Sequence, residues 1–208
     1  YFQSYTNTYG EMSHLVRLYE EALDHPKVLG LVIGTRPDCI SDELLTYFSD
    51  LSKTKYVMIE YGVESTSNQT LEFINRGHNY EEAEQAIIKT AEKGIFTGAH
   101  IILGLPKEEK EVVLSHADNL SKLPLTVIKM HQLQLVRGTK MAHQYEENPE
   151  IFHLYTLDEY IDLAIDFIER LNSEIAIERF VSQSPKDLLI APDWGVKNFE
   201  FIDKIILN

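Results

Sequence analysis

The 208-residue sequence contains one cysteine, Cys39. A single thiol excludes a disulfide framework and suits a reducing compartment, so we expect a cytoplasmic protein. It also excludes an iron–sulfur cluster ligated by this chain alone, because such clusters need three or four thiolates. Free cysteine behaves as a small apolar side chain, and we predict that role for Cys39.

Cationic residues are also scarce. The chain has 19 Lys and Arg against 33 Asp and Glu, a formal net charge of −14. Non-specific binding to nucleic acid needs basic surface that displaces counterions, so the composition argues against it, although it leaves a specifically docked RNA substrate open. The apolar runs have the length of strands, so we expect no membrane partner.

Residues 55–106 organise the rest of the chain. Residues 56–63 are β-branched and aromatic, and they end in a run of turn and helix-capping residues. Residues 80–93 have helical apolar spacing and stop at Gly94, and the apolar stretch that follows ends at residues 104–106. This spacing favours parallel strands joined by right-handed crossovers.

The same alternation continues on both sides and predicts an α/β fold, an open parallel barrel with its strands in sequential order. Strands are predicted at about 1–5, 28–34, 56–63, 96–103 and 126–135, with a possible sixth at 175–181. The other helices are predicted at 11–24, 41–51, 108–120, 157–171 and 198–206, and residues 143–156 read as an irregular loop. In parallel barrels the chemistry lies at the carboxyl ends of the strands, which selects the candidate residues below.

Six stretches together resemble one known family. They are YFQSYTNTY at 1–9, GTRPDC at 34–39, GVES at 62–65, INRGH at 74–78, GLP at 104–106 and PKDLLIAP at 185–192. The chain resembles radical S-adenosylmethionine (SAM) enzymes of the branch that holds oxygen-independent coproporphyrinogen oxidase and the Elongator catalytic subunit. Within that branch it is similar to an uncharacterised bacterial family of iron–sulfur oxidoreductases.

This resemblance implies a partial TIM-like (β/α) barrel of the radical SAM type over residues 1–208, with a carboxyl-terminal extension from about 140. The CxxxCxxC loop of the family is absent, so we expect a truncated core that lacks the first strand and the cluster loop and holds no [4Fe–4S] cluster by itself. The intact protein would cleave SAM reductively with a [4Fe–4S] cluster and generate a 5′-deoxyadenosyl radical that abstracts hydrogen. Its electron donor would be a protein such as flavodoxin or ferredoxin, and its substrate, a small molecule or an RNA, is open.

Glu60 and Glu64 share one face of the strand at 56–63 by the two-residue period. Glu64 ends the strand, where the resemblance implies contact with SAM, although an acid before a helix can also simply interact with the helix dipole. Glu60 lies deeper and needs a partner if it points inward, because an unpaired buried carboxylate is costly.

Arg76 follows Glu64 by twelve residues, and the resemblance implies that it binds the SAM carboxylate with its planar fork. A lone arginine there would otherwise stabilise a helix end. His100 stands where relatives often have an acid that meets the cofactor ribose, and a buried structural histidine is the alternative. Gly104 begins a turn that lets the backbone approach a cofactor or simply ends the strand.

Further candidates follow the other strands. The turn Thr6-Asn7-Thr8 corresponds to the SAM amino-group site of relatives, while such residues also favour turns in general. Thr35 and Arg36 end the strand at 28–34 and offer contacts to a phosphate or carboxylate. Lys129 and His131 alternate with apolar residues, and since burying an ammonium under outer helices is expensive, we expect both to face the barrel interior as catalytic groups beside Glu60.

Two other functions remain open from the residues alone. One is a lyase or hydrolase on an ordinary parallel barrel, with acid–base chemistry from a set of five residues: Glu60, Glu64, His100, Lys129 and His131. The other is a small-molecule binding domain without catalysis. The first four residues are identical to the end of a common cleavage tag and also fit the family pattern, so both origins are compatible with them.

Overall fold

The structure, a computed structural model, describes residues 1–3 and 5–207. The strands are β1 Gly30–Thr35, β2 Tyr56–Glu64, β3 Phe96–Leu103, β4 Val127–Gln132, β5 Leu135–Val136, β6 Ala176–Arg179 and β7 Leu189–Ala191. The helices are α1 Met12–Leu23, α2 Asp42–Ser52, α3 Asn68–Phe73, α4 Tyr80–Glu92, α5 Lys110–Leu120, α6 Lys140–Glu147, α7 Leu157–Arg170 and α8 Asn198–Leu207. Short 3₁₀ helices cover Pro37–Cys39 and Pro149–Ile151.

Five strands form one parallel sheet in the order β1-β2-β3-β4-β6. This confirms the predicted α/β fold, a partial TIM-like barrel with strands in sequential order. Because all five strands run the same way, their carboxyl ends meet at one edge, where barrel chemistry is placed. A separate antiparallel pair joins β5 to β7.

Helices cover one face of the sheet with their apolar sides. The core between sheet and helices includes Phe48 of α2, Ile59 of β2 and Ile87 of α4, all with no solvent exposure. Burial of each such side chain stabilises the fold by roughly 1.5–3 kcal/mol. Ser41 begins α2 by accepting from the Leu44 N–H at 3.1 Å, the simple serine cap that the sequence predicted.

Three predicted elements differ from the structure. The strand at 1–5 is reduced to a bridge between Phe2 and Ile33, because Tyr5 has a left-handed φ of 59° that ends the extended run; Ser4 lies outside the described residues. The strand at 126–135 ends at Gln132, and the chain then joins the β5–β7 pair. Residues 143–156 are partly helical rather than irregular, since Thr139 caps α6 by accepting from the Ala142 N–H at 3.2 Å.

None of the helices in the described ranges combines the length and the apolarity that crossing a membrane requires.

Candidate functional site

A cavity of about 380 Å³ opens at the carboxyl ends of β1, β2 and β3. Its volume lies in the range of small-molecule sites in proteins. Seven of the residues predicted from the sequence line it: Thr6, Thr35, Arg36, Glu60, Glu64, Arg76 and His100. The parallel topology brings these residues together from five separate points of the chain.

The end of β2 is irregular, and this irregularity shapes the cavity. A bulge interrupts the β2–β3 register between Gly62 and Glu64, and Glu64 has a left-handed φ of 67°. Bulges and such backbone outliers concentrate next to functional sites, where they redirect a side chain. Gly62 leaves room for the Arg76–Glu64 pair, because a Cβ at this position would displace the guanidinium of Arg76 and the carboxylate of Glu64 from their present places.

Arg76 reaches the cavity from the turn after α3. Asn75 takes a left-handed φ of 55° just past the helix, a common way to end one, and this returns the chain toward β2. The Arg76 Nη2 atom donates to the Gly62 carbonyl at 2.7 Å and lies 3.0 Å from Glu64 Oε1. The Nε atom is buried and has no hydrogen-bond partner among the described residues.

Glu60 is the centre of a buried polar cluster at the floor of the cavity. Its carboxylate accepts from the Tyr1 hydroxyl at 2.6 Å, from Lys129 Nζ at 2.8 Å to each oxygen, and lies 3.0 Å from His100 Nε2. Burial by itself raises the pKa of Glu60, but these hydrogen bonds outweigh it and lower the pKa to about 2. Glu60 therefore stays ionised, and its need for a partner is met.

Lys129 is only 2% exposed, and its ammonium group lies against Glu60 at the floor of the cavity. This agrees with the predicted orientation toward the inside of the barrel. The Lys129 Nζ atom also lies 2.9 Å from Glu178 Oε1. Burial lowers the pKa of Lys129, but hydrogen bonds to Glu60 and Glu178 raise it above its ordinary value. Two carboxylates thus hold one buried ammonium in its charged form.

His131 stacks on His100 with ring centroids 5.4 Å apart. Burial lowers the pKa of His131 to about 3, with further lowering by the charges of His100, Arg179 and Lys129. A general acid or base works best when its pKa lies near the operating pH. Glu60 and His131 are far from that condition at neutral pH, so these two residues are poorly suited to the acid–base chemistry of the alternative function.

Besides Lys129 and His131, three of the residues predicted to bind the cofactor lie outside the cavity lining. The Asn7 amide donates to the carbonyls of Phe2 and Gly34, and the Thr8 hydroxyl is buried against Thr35 and the Cys39 carbonyl. Gly104 has a φ of 87°, and a Cβ there would press on the Tyr155 ring. The structure thus gives a structural role to each, and their contact with a cofactor stays a prediction.

The sequence reading missed several residues of the site. Gln3, Tyr5 and Gly34 line the cavity, while Tyr1 and Glu178 complete the buried cluster. Arg36 was expected to meet an anionic ligand and lines the cavity, but its guanidinium binds Asp38 through two hydrogen bonds of 2.9 and 2.6 Å. The Asp38 partner, two residues away, was a signal available in the sequence; the Tyr1 and Glu178 contacts had no local signal.

Scans against family models match residues 3–120 to the radical SAM superfamily and residues 125–207 to the radical SAM C-terminal domain. The chain belongs to the radical SAM superfamily. The members of this superfamily are enzymes that use SAM and a [4Fe–4S] cluster. The predicted family resemblance is therefore confirmed.

Individual proteins are similar to this chain over most of its length. Uncharacterized protein YtqA of Bacillus subtilis is 33% identical over 205 residues, which cover 99% of this chain and 63% of YtqA. The chain thus spans less than two thirds of the length of this relative. Elp3 of Methanocaldococcus infernus has a TM-score of 0.72 at 19% identity, over 86% of this chain and 43% of its own. Coproporphyrinogen III oxidase of Escherichia coli, a radical SAM enzyme, has a TM-score of 0.54 at 15% identity. The match covers 97% of this chain and 37% of the oxidase chain. These two structures show the shared fold.

The two radical SAM cofactors fit this chain differently. No group of three or more His, Cys, Asp or Glu side chains in residues 1–3 and 5–207 is arranged to hold a metal ion, and Cys39 is the one thiol in the sequence. The residues present therefore do not fit a [4Fe–4S] cluster. The cavity does fit SAM, because it combines a cationic fork with an unpartnered nitrogen, a carboxylate and an imidazole.

Proposed function

We propose that this chain binds SAM in the cavity at the carboxyl ends of β1–β3, as the cofactor-binding core of an oxidoreductase that abstracts hydrogen from its substrate. The observation that carries the proposal is Arg76, whose guanidinium enters the cavity beside Glu64 with an unpartnered Nε atom. SAM supplies the 5′-deoxyadenosyl group that serves as the hydrogen-abstracting radical in this superfamily, whereas the protein positions it.

The groups of SAM match the residues of the cavity one by one. The planar guanidinium of Arg76 suits the methionyl carboxylate, because it can donate two parallel hydrogen bonds. The Glu64 carboxylate accepts hydrogen bonds from the amino group or a ribose hydroxyl, and the His100 ring both donates and accepts. Arg76 and Glu64 already contact each other, so the ligand would insert its own charges into an existing ion pair.

The floor of the cavity supports this arrangement. Glu60 and Lys129 are 1% and 2% exposed, so the bottom of the site is closed to water. Glu60 holds the Nε2 atom of His100 at 3.0 Å and thereby fixes the orientation of the ring. Glu60 and Lys129 thus act as positioning groups beneath the cofactor.

The remaining parts of the proposal concern partners. An enzyme of this kind needs an electron donor, for which a small protein such as flavodoxin or ferredoxin is our candidate. The substrate is a small molecule or a specifically docked RNA, since the net charge of −14 disfavours non-specific binding of polyanions. We propose no residue of this chain as a ligand of the [4Fe–4S] cluster.

The Arg76→Ala variant tests the proposal by calorimetric titration of SAM into the protein at its natural length. The lost charge-assisted bond is worth roughly 1.5–3 kcal/mol, so SAM should bind about ten- to a hundredfold more weakly. Arg76→Lys should recover only part of this, because an ammonium makes no bidentate contact. Arg17→Ala, an exposed arginine of α1, is the matched control and should bind like the wild type.

Thermal unfolding of the same variants separates binding from stability. If Arg76 only stabilises the end of α3, Arg76→Ala should unfold at a lower temperature and bind SAM with unchanged affinity. Equal SAM affinity in the wild type and both Arg76 variants would remove the proposal's strongest support.

A further inference from the structure

A second cavity, of about 290 Å³, lies at the carboxyl ends of β4 and β6. It is formed by the end of β4 together with the segment that leaves β6 and returns past β7, and no candidate residue of the SAM site lines it. Its lining includes the amides and hydroxyls of glutamine and serine residues and the single tryptophan, Trp194. This composition differs from that of the SAM cavity, which is built from ion pairs.

Charge distinguishes this cavity from three larger ones, of about 380, 530 and 710 Å³. Lys186 and Lys197 line it, against one carboxylate, Asp193. The other three each have at least as many carboxylates as lysines and arginines in their lining. The chain has a net charge of −14, so a cavity lined by more lysines than carboxylates is unusual in it. Such a cavity favours the binding of an anionic ligand.

Neither ammonium group is paired with a carboxylate of the described residues, and the Lys197 Nζ atom lies 5.9 Å from the centre of the Phe199 ring. Other lysines of the protein, such as Lys53 and Lys110, lie 2.6 Å from a carboxylate, but within residues 1–3 and 5–207 no carboxylate lies within 4.0 Å of Lys186 or Lys197. The amino end of α8 adds little positive potential, because Glu200 already accepts from the Lys197 N–H at 2.6 Å.

The polar wall is pre-organised. The Gln132 amide bonds both backbone groups of Ser182, at 2.8 and 2.9 Å, and so fixes the loop after β6 to the end of β4. The Oε1 atom of Gln134 accepts from the hydroxyls of Ser182 and Ser184 at 3.2 and 2.9 Å. The Gln134 amide nitrogen has no partner in the part of the chain that the structure describes, so its two N–H groups are free to donate to a ligand.

The aromatic wall is equally fixed. The Trp194 Nε1 atom donates to the Tyr155 carbonyl at 3.0 Å, and its ring packs 5.0 Å from Tyr160. Side chains that are already held in place lose little conformational entropy when a ligand binds to them. Free donors, unpaired cations and a flat apolar wall together recognise a planar molecule that carries an anionic group.

We propose that this cavity is a second ligand site, which binds a small molecule bearing a carboxylate or phosphate group through Lys186, Lys197 and Gln134. The volume accommodates a small molecule, and the acidic surface elsewhere disfavours a long polyanion such as RNA. The site is independent of the proposed SAM site, so either one stands if the other fails.

The single tryptophan of the chain provides a local reporter. The indole N–H resonance of Trp194 is followed in the full-length protein during titration with inorganic phosphate or succinate, at ionic strength held constant with chloride. We expect the resonance to shift in a saturable way with at least one of the two probes. A response to phosphate would indicate a ligand with a phosphate group, and a response to succinate would indicate one with a carboxylate. Lys186→Gln combined with Lys197→Gln should weaken the response roughly tenfold, as the loss of charge-assisted bonds implies.

The matched control removes two exposed lysines outside the cavity, Lys27→Gln with Lys204→Gln, and should respond like the wild type. Absence of a saturable shift with both probes would overturn the proposal. So would an equal response in the Lys186 and Lys197 variant, or the same shift with chloride alone. A tighter response to a short oligoribonucleotide than to either small anion would overturn the assignment to a small molecule. Failure to bind SAM in these samples would refute only the function proposed above.

Discussion

Two buried carboxylates, Glu60 and Glu108, are stabilised in opposite ways. Glu60 pairs with the ammonium of Lys129 at the floor of the proposed SAM cavity. Glu108 instead accepts from the Ser65 hydroxyl at 2.6 Å and lies 3.2 Å from His116 Nε2. No lysine or arginine nitrogen in the described ranges lies within 4.0 Å of Glu108, and its Oε2 atom is buried without a partner.

The difference follows from what each network connects. The Glu108 network continues from His116 Nδ1 to the Thr66 hydroxyl at 2.8 Å and from there to Asn119 at 2.9 Å, and so it ties the loop after β2 to α5. Ser65, Glu108 and His116 of this network are buried, Thr66 and Asn119 are half-buried, and Glu108 also lines a separate cavity of about 530 Å³. The Glu60 network opens onto the proposed SAM cavity, where fixed charges can act on a bound molecule. A lysine thus neutralises the carboxylate at the proposed site, whereas a serine hydroxyl and a histidine ring contact the carboxylate of Glu108.

The largest effect on stability is expected when Lys129, the cation that pairs with Glu60, is removed. Lys129→Met leaves Glu60 buried without its counterion and should lower the free energy of unfolding by about 3–5 kcal/mol in urea denaturation. The double variant Glu60→Leu with Lys129→Met should recover most of this loss, because no bare charge remains. The control is Lys53→Met, which breaks an exposed pair with Asp50 and should cost less than about 1 kcal/mol. Equal costs for Lys129→Met and Lys53→Met would show that the buried pair is no different from a surface pair.

The pH dependence of stability sharpens the comparison next. His131 has a folded pKa of about 3, below its ordinary value of 6.5, so the unfolded state binds more protons and stability is lost as the pH falls from 6.5 toward 3. Glu60, with a pKa lowered from 4.5 to about 2, adds a further loss between those values. Between pH 6.5 and 5 the His131 contribution should be roughly 1–2 kcal/mol.

His131→Phe isolates that contribution. The Nε2 atom of His131 is buried without a partner in the described part of the chain, so a Phe ring retains the packing on His100 and loses no hydrogen bond at that atom. Urea denaturation at pH 6.5 and pH 5 should show a flatter dependence in the variant than in the wild type. An identical dependence in the two proteins would contradict the lowered pKa.

The third test concerns the Glu108 network, where SAM affinity should not change at all. Ser65→Ala removes one donor to Glu108 and should lower the free energy of unfolding by about 1–2 kcal/mol, since His116 still contacts the same oxygen. SAM affinity should not change, because Ser65 does not line the cavity. Ser13→Ala on the exposed face of α1 is the control for the loss of a serine hydroxyl. A weaker affinity of the Ser65→Ala variant for SAM would show that the Glu108 network also supports SAM binding, contrary to this prediction.

The order of elements was readable from the sequence because strands and helices here have clear apolar periods. The cost of burying charge also placed Lys129 inside the sheet and required a partner for Glu60. The pairing itself was not readable, because the two residues are 69 positions apart and meet only through the registers of β2, β3 and β4. The predicted loop at 143–156 failed for a local reason, since the Thr139 cap of α6 precedes a polar stretch with little apolar pattern.

The distance in sequence between Glu60 and Lys129 also constrains how this protein can change over generations. A single substitution at either position leaves a buried charge without its partner and should destabilise the fold by about 3–5 kcal/mol, so selection should act against it. Replacement is therefore expected at both positions together, or after another cation has moved beside Glu60. Aligned relatives should accordingly show positions 60 and 129 changing as a pair, while Glu178, half exposed to solvent, varies freely.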